Sequence, residues 1–179
     1  QMVKNEMFVY KKKTYFADSK GVLRKSGWQK IDGNWYYFKN MSLVKNAFVK
    51  KGKKYGYVDA TGKFTTGWVV VDNSQNLVRY INPDKKGFVQ NESKWIDGKL
   101  YYFDKNGNMV TGEQVIDGKK YFFLDNGLQL RHVLRQGSDG HVYYYDPKGV
   151  QAFNGFYDFA GPRQDVRYFD GNGQMYRGL

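Results

Sequence analysis

Short runs of aromatic and β-branched residues alternate with glycine-containing turns along most of the chain. The stretch WIDGKLYYFDKNG at residues 95–107 shows the pattern, with Asp-Gly before three consecutive rings and Asp-x-x-Gly after them. Asp-Gly between two β-favouring runs predicts a two-residue type I′ hairpin turn, because glycine adopts positive φ without strain. The Asp-x-x-Gly predicts a second turn that leads toward the next hairpin. No segment keeps a 3.6-residue apolar period, so the sequence predicts an all-β protein.

The pattern recurs as a tandem repeat. Its aromatic blocks start at intervals of 19 to 25 residues, which gives roughly eight units. One hairpin of this size cannot bury its own aromatic face, whereas stacked hairpins can. The predicted fold is therefore an all-β, elongated β-solenoid of tandem β-hairpin repeats of about 20 residues, forming a single array over residues 1–179. The predicted units are 7–26, 27–46, 47–66, 67–91, 92–111, 112–131, 132–152 and 153–179.

Three rings in a row place aromatic side chains on both faces of a strand. Because side chains alternate, Tyr101 and Phe103 share one face and Tyr102 takes the other. One face is expected to pack against neighbouring hairpins, and the other to hold rings rigidly at the surface. Alternation alone does not decide which face of the strand binds a ligand.

Composition agrees with a fold held together by rings and turns. Aromatic residues make up 18% of the chain, there are 21 glycines, and the mean hydropathy is −0.73. Stability must then come mainly from aromatic packing and β pairing. With no cysteine, disulfides and Cys-ligated zinc are excluded. The longest apolar run, residues 68–71, is far too short to span a bilayer, and no membrane partner is predicted.

The formal net charge of +12 favours polyanions by long-range attraction. The lysines are scattered along the chain and most lie beside turns, which indicates a solvated face. No nucleic-acid-binding fold matches the repeats, so nucleic acid is not predicted as a partner. The start of the sequence carries no signal peptide, and we expect any such signal to belong to a longer precursor.

No catalytic constellation is recognisable. The Asp residues are accounted for by the turns, and glutamate is rare. His132 and His141, the two histidines, are interpreted as surface residues, since no further metal-ligand pattern accompanies them. The chain is therefore predicted to be a binding module, not an enzyme, with no cofactor and no metal. Rigid rings flanked by amides and ammonium groups suit sugars, whose apolar CH face lies on a ring and whose hydroxyls need polar partners.

The repeat GWQKIDGNWYYFKN at 27–40, with KWIDGKLYYFDKNG at 94–107 and GEQVIDGKKYFFLDNG at 112–127, resembles the cell-wall-binding or glucan-binding repeats. It looks most like the glucan-binding domain of glucansucrases from lactic acid bacteria. The resemblance is strong over 27–46 and 92–179 and degenerate over 7–26 and 47–91. It implies a β-solenoid of hairpins in a secreted, extracellular or cell-surface-associated protein. It further implies binding of α-glucan polysaccharides or oligosaccharides such as dextran, and covalent attachment to a larger sucrose-using transglucosylase.

The same resemblance implies sugar pockets between consecutive hairpins, each with a stacking ring and polar partners. Three groups of carbohydrate-binding residues are expected. The first comprises Tyr101 or Tyr102 with Gln114, Lys120 and Gln129. The second comprises Tyr143 or Tyr144 with Gln136 and Gln151. The third comprises Trp35 or Tyr36 with Lys50 or Lys51.

Three alternatives stay open at this stage. Choline-binding modules share the repeat but cage a quaternary ammonium with two tryptophans and a tyrosine. Only Trp28 and Trp35 of the four tryptophans sit at paired positions here, which disfavours choline. Toxin-type repeats that bind host glycans are also similar. A cell-wall or teichoic-acid binding module, or another polyanion binder, would use the basic charge.

Overall fold

The computed structural model describes residues 2–72, 77–159 and 165–176, which form eighteen β-strands. No helix occurs among these residues, so none there could cross a membrane. The strands are β1 Glu6–Tyr10, β2 Lys13–Ala17, β3 Gly27–Ile31, β4 Asn34–Lys39, β5 Ser42–Leu43, β6 Ala47–Lys51, β7 Lys54–Val58, β8 Phe64–Thr65, β9 Trp68–Asp72, β10 Leu77–Tyr80, β11 Glu92–Ile96, β12 Lys99–Phe103, β13 Gly112–Ile116, β14 Lys119–Phe123, β15 Val133–Gln136, β16 Val142–Tyr145, β17 Gly155–Asp158 and β18 Val166–Phe169.

Successive strands pair antiparallel into eight hairpins, two of which gain a short third strand. The all-β prediction is thereby confirmed. The elongated solenoid is not confirmed: hydrogen-bonded pairing between the named strands stays within each hairpin, and the chain divides into two compact units, Gln1–Val89 and Gln90–Leu179. The first unit contains β1 to β10 and the second β11 to β18.

The hairpin turns follow the Asp-Gly prediction in three cases. Asp32, Asp97 and Asp117 have φ near 50° and each is followed by a glycine at positive φ, as a type I′ turn requires. The prediction fails at Asp139, which does not have positive φ. There the hairpin closes through residues 137–141, and the Gly137 N–H donates to the His141 carbonyl over 2.8 Å. This hairpin has one more residue between its paired ends, Val133 and Tyr145, than the preceding hairpin has between Gly112 and Phe123, and its strands pair over four positions instead of five, so the loop has five residues instead of two.

The predicted second turns are confirmed by their carboxylates. Asp104 Oδ1 accepts hydrogen bonds of 2.8 Å from the backbone N–H groups of Asn106 and Asn108. Asp146 and Asp170 accept the equivalent pairs in their own turns. Local hydrogen bonding of this kind is the usual role of aspartate in a turn, and it leaves these residues structural.

Each hairpin contributes to the core one fully buried residue that lies within one position of the end of its second long strand. These residues are at most 1% exposed, and four of them are phenylalanines. The face that Phe103 shares with Tyr101 is therefore the core-facing one. The full set is Ala17, Phe38, Val58, Ile81, Phe103, Phe123, Tyr145 and Phe169. Burial raises the pKa of Tyr145, the one polar member, to about 12, so its hydroxyl stays protonated.

A second inward position follows the second turn of a repeat and packs against the turn glycine of the next repeat. Met109 fills it beside Gly127, where an added Cβ would lie 2.2 Å from the methionine sulfur. Gln129 takes the same position beside Gly149, where a Cβ would lie 2.6 Å from its Nε2. These glycines are needed both for positive φ and for this close approach. Where glutamine replaces an apolar residue at this position, it brings a polar side chain into the core.

Candidate functional site

A concave site of the second unit, hereafter the Tyr102 cavity, has a volume of about 350 Å³. Volumes of about 300–1,000 Å³ are typical of small-ligand sites. Two tyrosine rings, from Tyr102 and Tyr121, line it together with polar side chains from three hairpins. The lining residues are Asn91, Glu92, Ser93, Leu100, Tyr102, Ile116, Asp117, Tyr121, Gln129 and Lys148.

Strand alternation and cross-repeat hydrogen bonds position these groups. Tyr102 and Leu100 lie on the face of β12 opposite Phe103, so burying Phe103 turns Tyr102 toward the cavity. The Gln129 N–H donates to the Leu100 carbonyl over 3.0 Å, which ties the turn after β14 to β12. Lys148 arrives from the turn that Asp146 organises, one repeat further along. The cavity therefore brings together side chains that lie up to two repeats apart in the sequence.

The polar groups of the cavity present both donors and acceptors. The Tyr102 hydroxyl donates to Asn91 Oδ1 over 3.1 Å, which fixes the ring. Burial, together with the negative charges of Asp117 and Asp146, raises the pKa of Tyr121, so its phenol remains a donor at neutral pH. A ligand rich in hydroxyl groups would find complementary partners here.

Gln129 is 8% exposed, and its Oε1 is fully buried without a hydrogen-bond partner among the described residues. Gln151, one repeat later and 3% exposed, has the same unpartnered oxygen. An unpaired buried amide costs about 1–3 kcal/mol. Neither glutamine reaches out from the surface as the resemblance implies. Gln129 lines the cavity as a buried wall residue, and Gln151 packs beside Gly173.

The first predicted group is only partly assembled. Tyr102 and Gln129 meet at the Tyr102 cavity, but Tyr101 lies on the core-facing side of β12. Gln114 and Lys120 point to opposite faces of their hairpin, since Gln114 pairs with Tyr121 and Lys120 with Val115. Neither lines the cavity. Gln114 donates to the Thr111 carbonyl over 2.7 Å, and Lys120 lies 3.4 Å from Glu113.

The second predicted group does not form a pocket. Tyr144 is 3% exposed and packs against Phe169, with Phe159 only 4.4 Å away between ring centroids, so it is a core residue and not a platform. Tyr143 lies on the other strand face and its hydroxyl hydrogen-bonds to Asp139. That bond is the main cause of the raised pKa of Tyr143. The remaining members are separated from it: Gln136 donates to the Gly140 carbonyl, and Gln151 is buried.

In the third predicted group, Trp35 and Lys51 do meet. The Lys51 Nζ lies 4.1 Å from the Trp35 ring centroid and 5.9 Å from that of Trp28. This internal ammonium covers the tryptophan pair that a choline cage would need. Tyr36 instead packs against the core cluster around Phe38, away from any such pocket.

Lys50 lines a different cavity of about 410 Å³ in the first unit, with Tyr37 and Phe48. Sequence reasoning named the neighbours of Tyr37 but not Tyr37 itself. Tyr37 precedes the core residue Phe38 as Tyr102 precedes Phe103. One such ring lines a cavity in each unit, whereas Tyr144, which precedes the core residue Tyr145, is buried, so alternation narrows the candidates without selecting among them.

Asn91, Asp117, Tyr121 and Lys148 were also missed as lining residues. Asn91 precedes β11 and carries no motif, whereas Asp117 and Tyr121 belong to the repeat, where Asp117 was assigned to the hairpin turn and Tyr121 was not singled out. Lys148 sits in a turn where an exposed lysine is ordinary. Over residues 2–72, 77–159 and 165–176, no three His, Asp or Glu side chains group where they could hold a metal ion.

Family models match two parts of the chain. The choline-binding repeat model matches residues 110–156, and the putative cell wall binding repeat model matches 26–40 and 86–109. The Tyr102 cavity therefore draws its residues from both matched regions.

Curated relatives include bacterial glucosyltransferases. Glucosyltransferase-S of Streptococcus mutans is 31% identical over 168 residues, covering 91% of this chain and 11% of that protein. Glucosyltransferase-I of Streptococcus downei is 43% identical over 82 residues, which is 46% of this chain and 5% of that protein. Toxin A of Clostridium novyi is 29% identical over 92 residues, covering 48% of this chain and 4% of the toxin. The chain thus spans only a small part of each relative.

Solved structures of streptococcal choline-binding proteins share the fold. CbpJ of Streptococcus pneumoniae superposes with a TM-score of 0.66 at 20% identity, covering 95% of this chain and 57% of that one. Choline binding protein F of the same species, solved in the presence of a peptidoglycan analogue, gives 0.64 at 22% identity, covering 96% and 57%. At these identities the likeness establishes the fold alone.

Proposed function

Since models of choline-binding and cell wall binding repeats match residues 26–40 and 86–156, we propose that the chain is a repeat module that binds α-glucan through the Tyr102 cavity. Dextran and isomalto-oligosaccharides are the proposed ligands. The observation that carries the proposal is the convergence of two tyrosine rings with amide, carboxylate and ammonium groups in one cavity. The similarity to two streptococcal glucosyltransferases supports glucan over other polysaccharides.

The proposed chemistry follows from the lining. A pyranose ring would lie with its CH face on Tyr102, whose orientation is fixed by its hydrogen bond to Asn91. Its hydroxyls would donate to Asp117 and accept from Lys148 and the Tyr121 phenol. The Tyr37 cavity, with Lys50 at its wall, offers a second and less polar site in the first unit.

Weak sites on one chain act together on a polymer. A single pocket binding at about millimolar strength holds an oligosaccharide briefly, but a long glucan that touches two sites is held about 10²-fold longer or more. We propose that the chain is a non-catalytic part of a secreted or cell-surface transglucosylase and retains the growing polymer near the catalytic domain. Oligosaccharides shorter than the span between sites would gain nothing from this effect.

Affinity electrophoresis in gels with and without dextran tests the proposal. Wild type should be retarded by dextran, and Tyr102→Ala should weaken the apparent affinity about tenfold, equivalent to about 1.4 kcal/mol. Lys148→Gln should weaken it as well. Lys105→Gln is the matched control, since Lys105 lies in the equivalent turn two repeats earlier and does not line the cavity.

Two outcomes would contradict glucan binding by this cavity. One is a wild-type mobility that no dextran concentration changes. The other is equal loss of retardation in the Lys148 and Lys105 variants. Tyr101→Ala provides a further contrast, because its ring shares the core-facing side with Phe103. It should lower the unfolding midpoint more than it lowers affinity.

A cell-wall polymer is the second candidate ligand, favoured by the fold shared with choline binding protein F. Choline itself is disfavoured because the Lys51 ammonium covers Trp28 and Trp35. Sedimentation with purified peptidoglycan, in the presence and absence of soluble dextran, separates the two ligands. Pelleting that dextran does not compete would indicate a wall polymer bound elsewhere than at the glucan site.

A further inference from the structure

An exposed tryptophan lies on the hairpin that forms one wall of the Tyr102 cavity. Trp95 is 58% exposed, although tryptophan side chains are highly buried on average. It is the only tryptophan between residues 90 and 179, because the other three lie in the first unit. Its ring belongs neither to the buried core nor to the lining of the cavity. A large apolar ring is thus presented at the surface of the unit that holds the candidate sugar site.

Strand register places Trp95 next to residues that line the cavity. Trp95 lies opposite Leu100, and Ser93, two positions earlier on β11, lies opposite Tyr102. Because side chains alternate, these four side chains share one face of the hairpin. The other three line the cavity, so Trp95 continues the face that forms its wall. Diagonal neighbours on one face, as Trp95 and Tyr102 are, lie about 7–8 Å apart, within reach of aromatic side chains. The two rings can therefore contact neighbouring parts of one ligand.

Arg131 holds the tryptophan ring from one side. Its guanidinium carbon lies 5.2 Å from the Trp95 ring centroid, where a cation is attracted by the negative face of the ring. Arg131 follows the cavity residue Gln129 by two positions, and the Gln129 N–H donates to the Leu100 carbonyl over 3.0 Å. The backbone segment that brings Gln129 to the cavity therefore also brings Arg131 to Trp95.

A tryptophan ring beside a guanidinium matches the two kinds of surface that a sugar presents. The apolar CH face of a pyranose packs on an aromatic ring, and its hydroxyls need polar partners at the ring edge. Arg131 offers N–H donors at that edge. In the next hairpin the position of Trp95 is taken by Val115, opposite Lys120. The arrangement is thus a property of this hairpin and not of the repeat in general.

The charge around this face favours a neutral polymer over a polyanion. Gln90–Leu179 contains 11 Lys and Arg against 11 Asp and Glu, so the unit is neutral by formal count. Two acids, Glu92 and Asp117, line the cavity itself. Nucleic acid would meet these carboxylates without the basic surface that ordinarily attracts it.

We propose that Trp95 is a second sugar platform that extends the Tyr102 cavity, so that one site binds consecutive units of a glucan chain. One unit occupies the cavity on Tyr102, and a neighbouring part of the same chain lies on the Trp95 face that points away from Arg131. This extension rests on the glucan binding proposed above. It adds that the site distinguishes an oligosaccharide from a monosaccharide, because a single unit in the cavity does not reach Trp95.

Indole N–H resonances of the ¹⁵N-labelled chain test the contact directly. Each of the four tryptophans gives one such resonance, and that of Trp95 is the one absent from the spectrum of Trp95→Phe. Isomaltotetraose should shift the Trp95 resonance, whereas methyl α-glucoside, which is small enough to occupy the cavity alone, should leave it in place. Tyr102→Ala should need about tenfold more isomaltotetraose for the same shift. Phe156→Ala removes another exposed ring of this unit that does not line the cavity, and as the matched control it should stay within about twofold.

Electrophoresis in dextran gels measures what the ring contributes to affinity. Trp95→Ala should bind dextran about tenfold more weakly, and Trp95→Phe, which keeps an aromatic face, should lose less. The unfolding midpoint of Trp95→Ala should stay close to that of wild type, because the ring is exposed. Arg131→Gln should weaken binding about two- to fivefold, since the ring loses the cation that holds it.

The outcomes separate this platform from the cavity. A chain that dextran retards, but whose Trp95 resonance isomaltotetraose does not move, would overturn the platform and leave the cavity as the glucan site. Equal retardation of wild type and Trp95→Ala would do the same. Tighter binding by Arg131→Gln would overturn it as well, because the guanidinium would then be blocking the ring. A Trp95 resonance that moves with an oligothymidylate and not with isomaltotetraose would overturn it in favour of nucleic acid. A wild type that no dextran concentration retards would refute glucan binding itself, and the platform with it.

Discussion

Gln129→Met should make the chain more stable and its hold on dextran weaker. The wild-type side chain is 8% exposed, and its Oε1 is buried without a partner among the described residues. Leaving such an amide unpaired costs about 1–3 kcal/mol. Methionine has a similar length and occupies the same repeat position at Met109, against Gly127 instead of Gly149. Allowing for imperfect repacking, we expect a gain of about 1 kcal/mol, which is about 2–4 °C in Tm for a chain of this length.

Thermal melts and urea unfolding, followed by circular dichroism, measure the stability, and dextran-gel electrophoresis measures the binding. The reciprocal substitution Met109→Gln is the matched control, because it creates a buried amide one repeat earlier. It should destabilise by about the same 1 kcal/mol. A pair of changes with opposite sign at equivalent positions separates the cost of the amide from general effects of mutation in the core.

The reasoning would be refuted if Gln129→Met lowered stability while Met109→Gln left it unchanged, since the amide would then be satisfied in the folded protein. A stabilised variant with unaltered dextran affinity would show that Gln129 is a wall residue only. A stabilised variant with weakened affinity would show that the buried amide is retained for function at a cost in stability, which is a common compromise in binding sites.

Two further predictions concern the first unit. Lys51→Gln should change the free energy of unfolding by no more than about 1 kcal/mol. It should make tryptophan fluorescence easier to quench with acrylamide, because the two rings that the ammonium covers become accessible. Lys50→Gln, whose ammonium lies over Tyr55, is the control, and equal quenching in both variants would contradict the contact between Lys51 and the tryptophans. Burial would raise the pKa of Asp59, but hydrogen bonds from the turn outweigh it and lower that pKa. Its stabilisation is thus present above the unfolded pKa of about 4 and lost as pH falls through the folded value. The Tm gap between wild type and Asp59→Asn should therefore shrink in acid, and a gap independent of pH would contradict this assignment.

The local structure was largely predictable because it depends on neighbours in the chain. Asp-Gly sets a type I′ turn through the φ of two residues, and Asp104 folds its own turn through hydrogen bonds to residues two and four further on. The one failure among these turns, at Asp139, also has a local cause, the one additional residue in that hairpin. These interactions need no knowledge of the rest of the fold.

The candidate site was predictable only in part, because its residues meet across repeats. Alternation placed Tyr101 and Tyr102 on opposite faces, but burial of Phe103 decided that Tyr102 faces the cavity. Gln129 was expected as an accessible hydrogen-bonding group, and packing against Gly149 made it a wall instead. No sequence feature marks Lys148 as a site residue. It lines the Tyr102 cavity because its turn lies beside that cavity in the folded chain.

The sequence by itself determined the hairpins, their turns and which side chains of a strand share a face, since backbone conformation and side-chain alternation are properties of short segments. Tertiary structure decided which of these side chains are buried: Tyr102 lines a cavity, whereas Tyr144, at the equivalent strand position, lies in the core. Similar strand patterns reach different environments because the contacts that bury a ring come from other repeats. For Tyr144 those contacts are Phe159 and Phe169, whose approach no pattern within its own strand encodes.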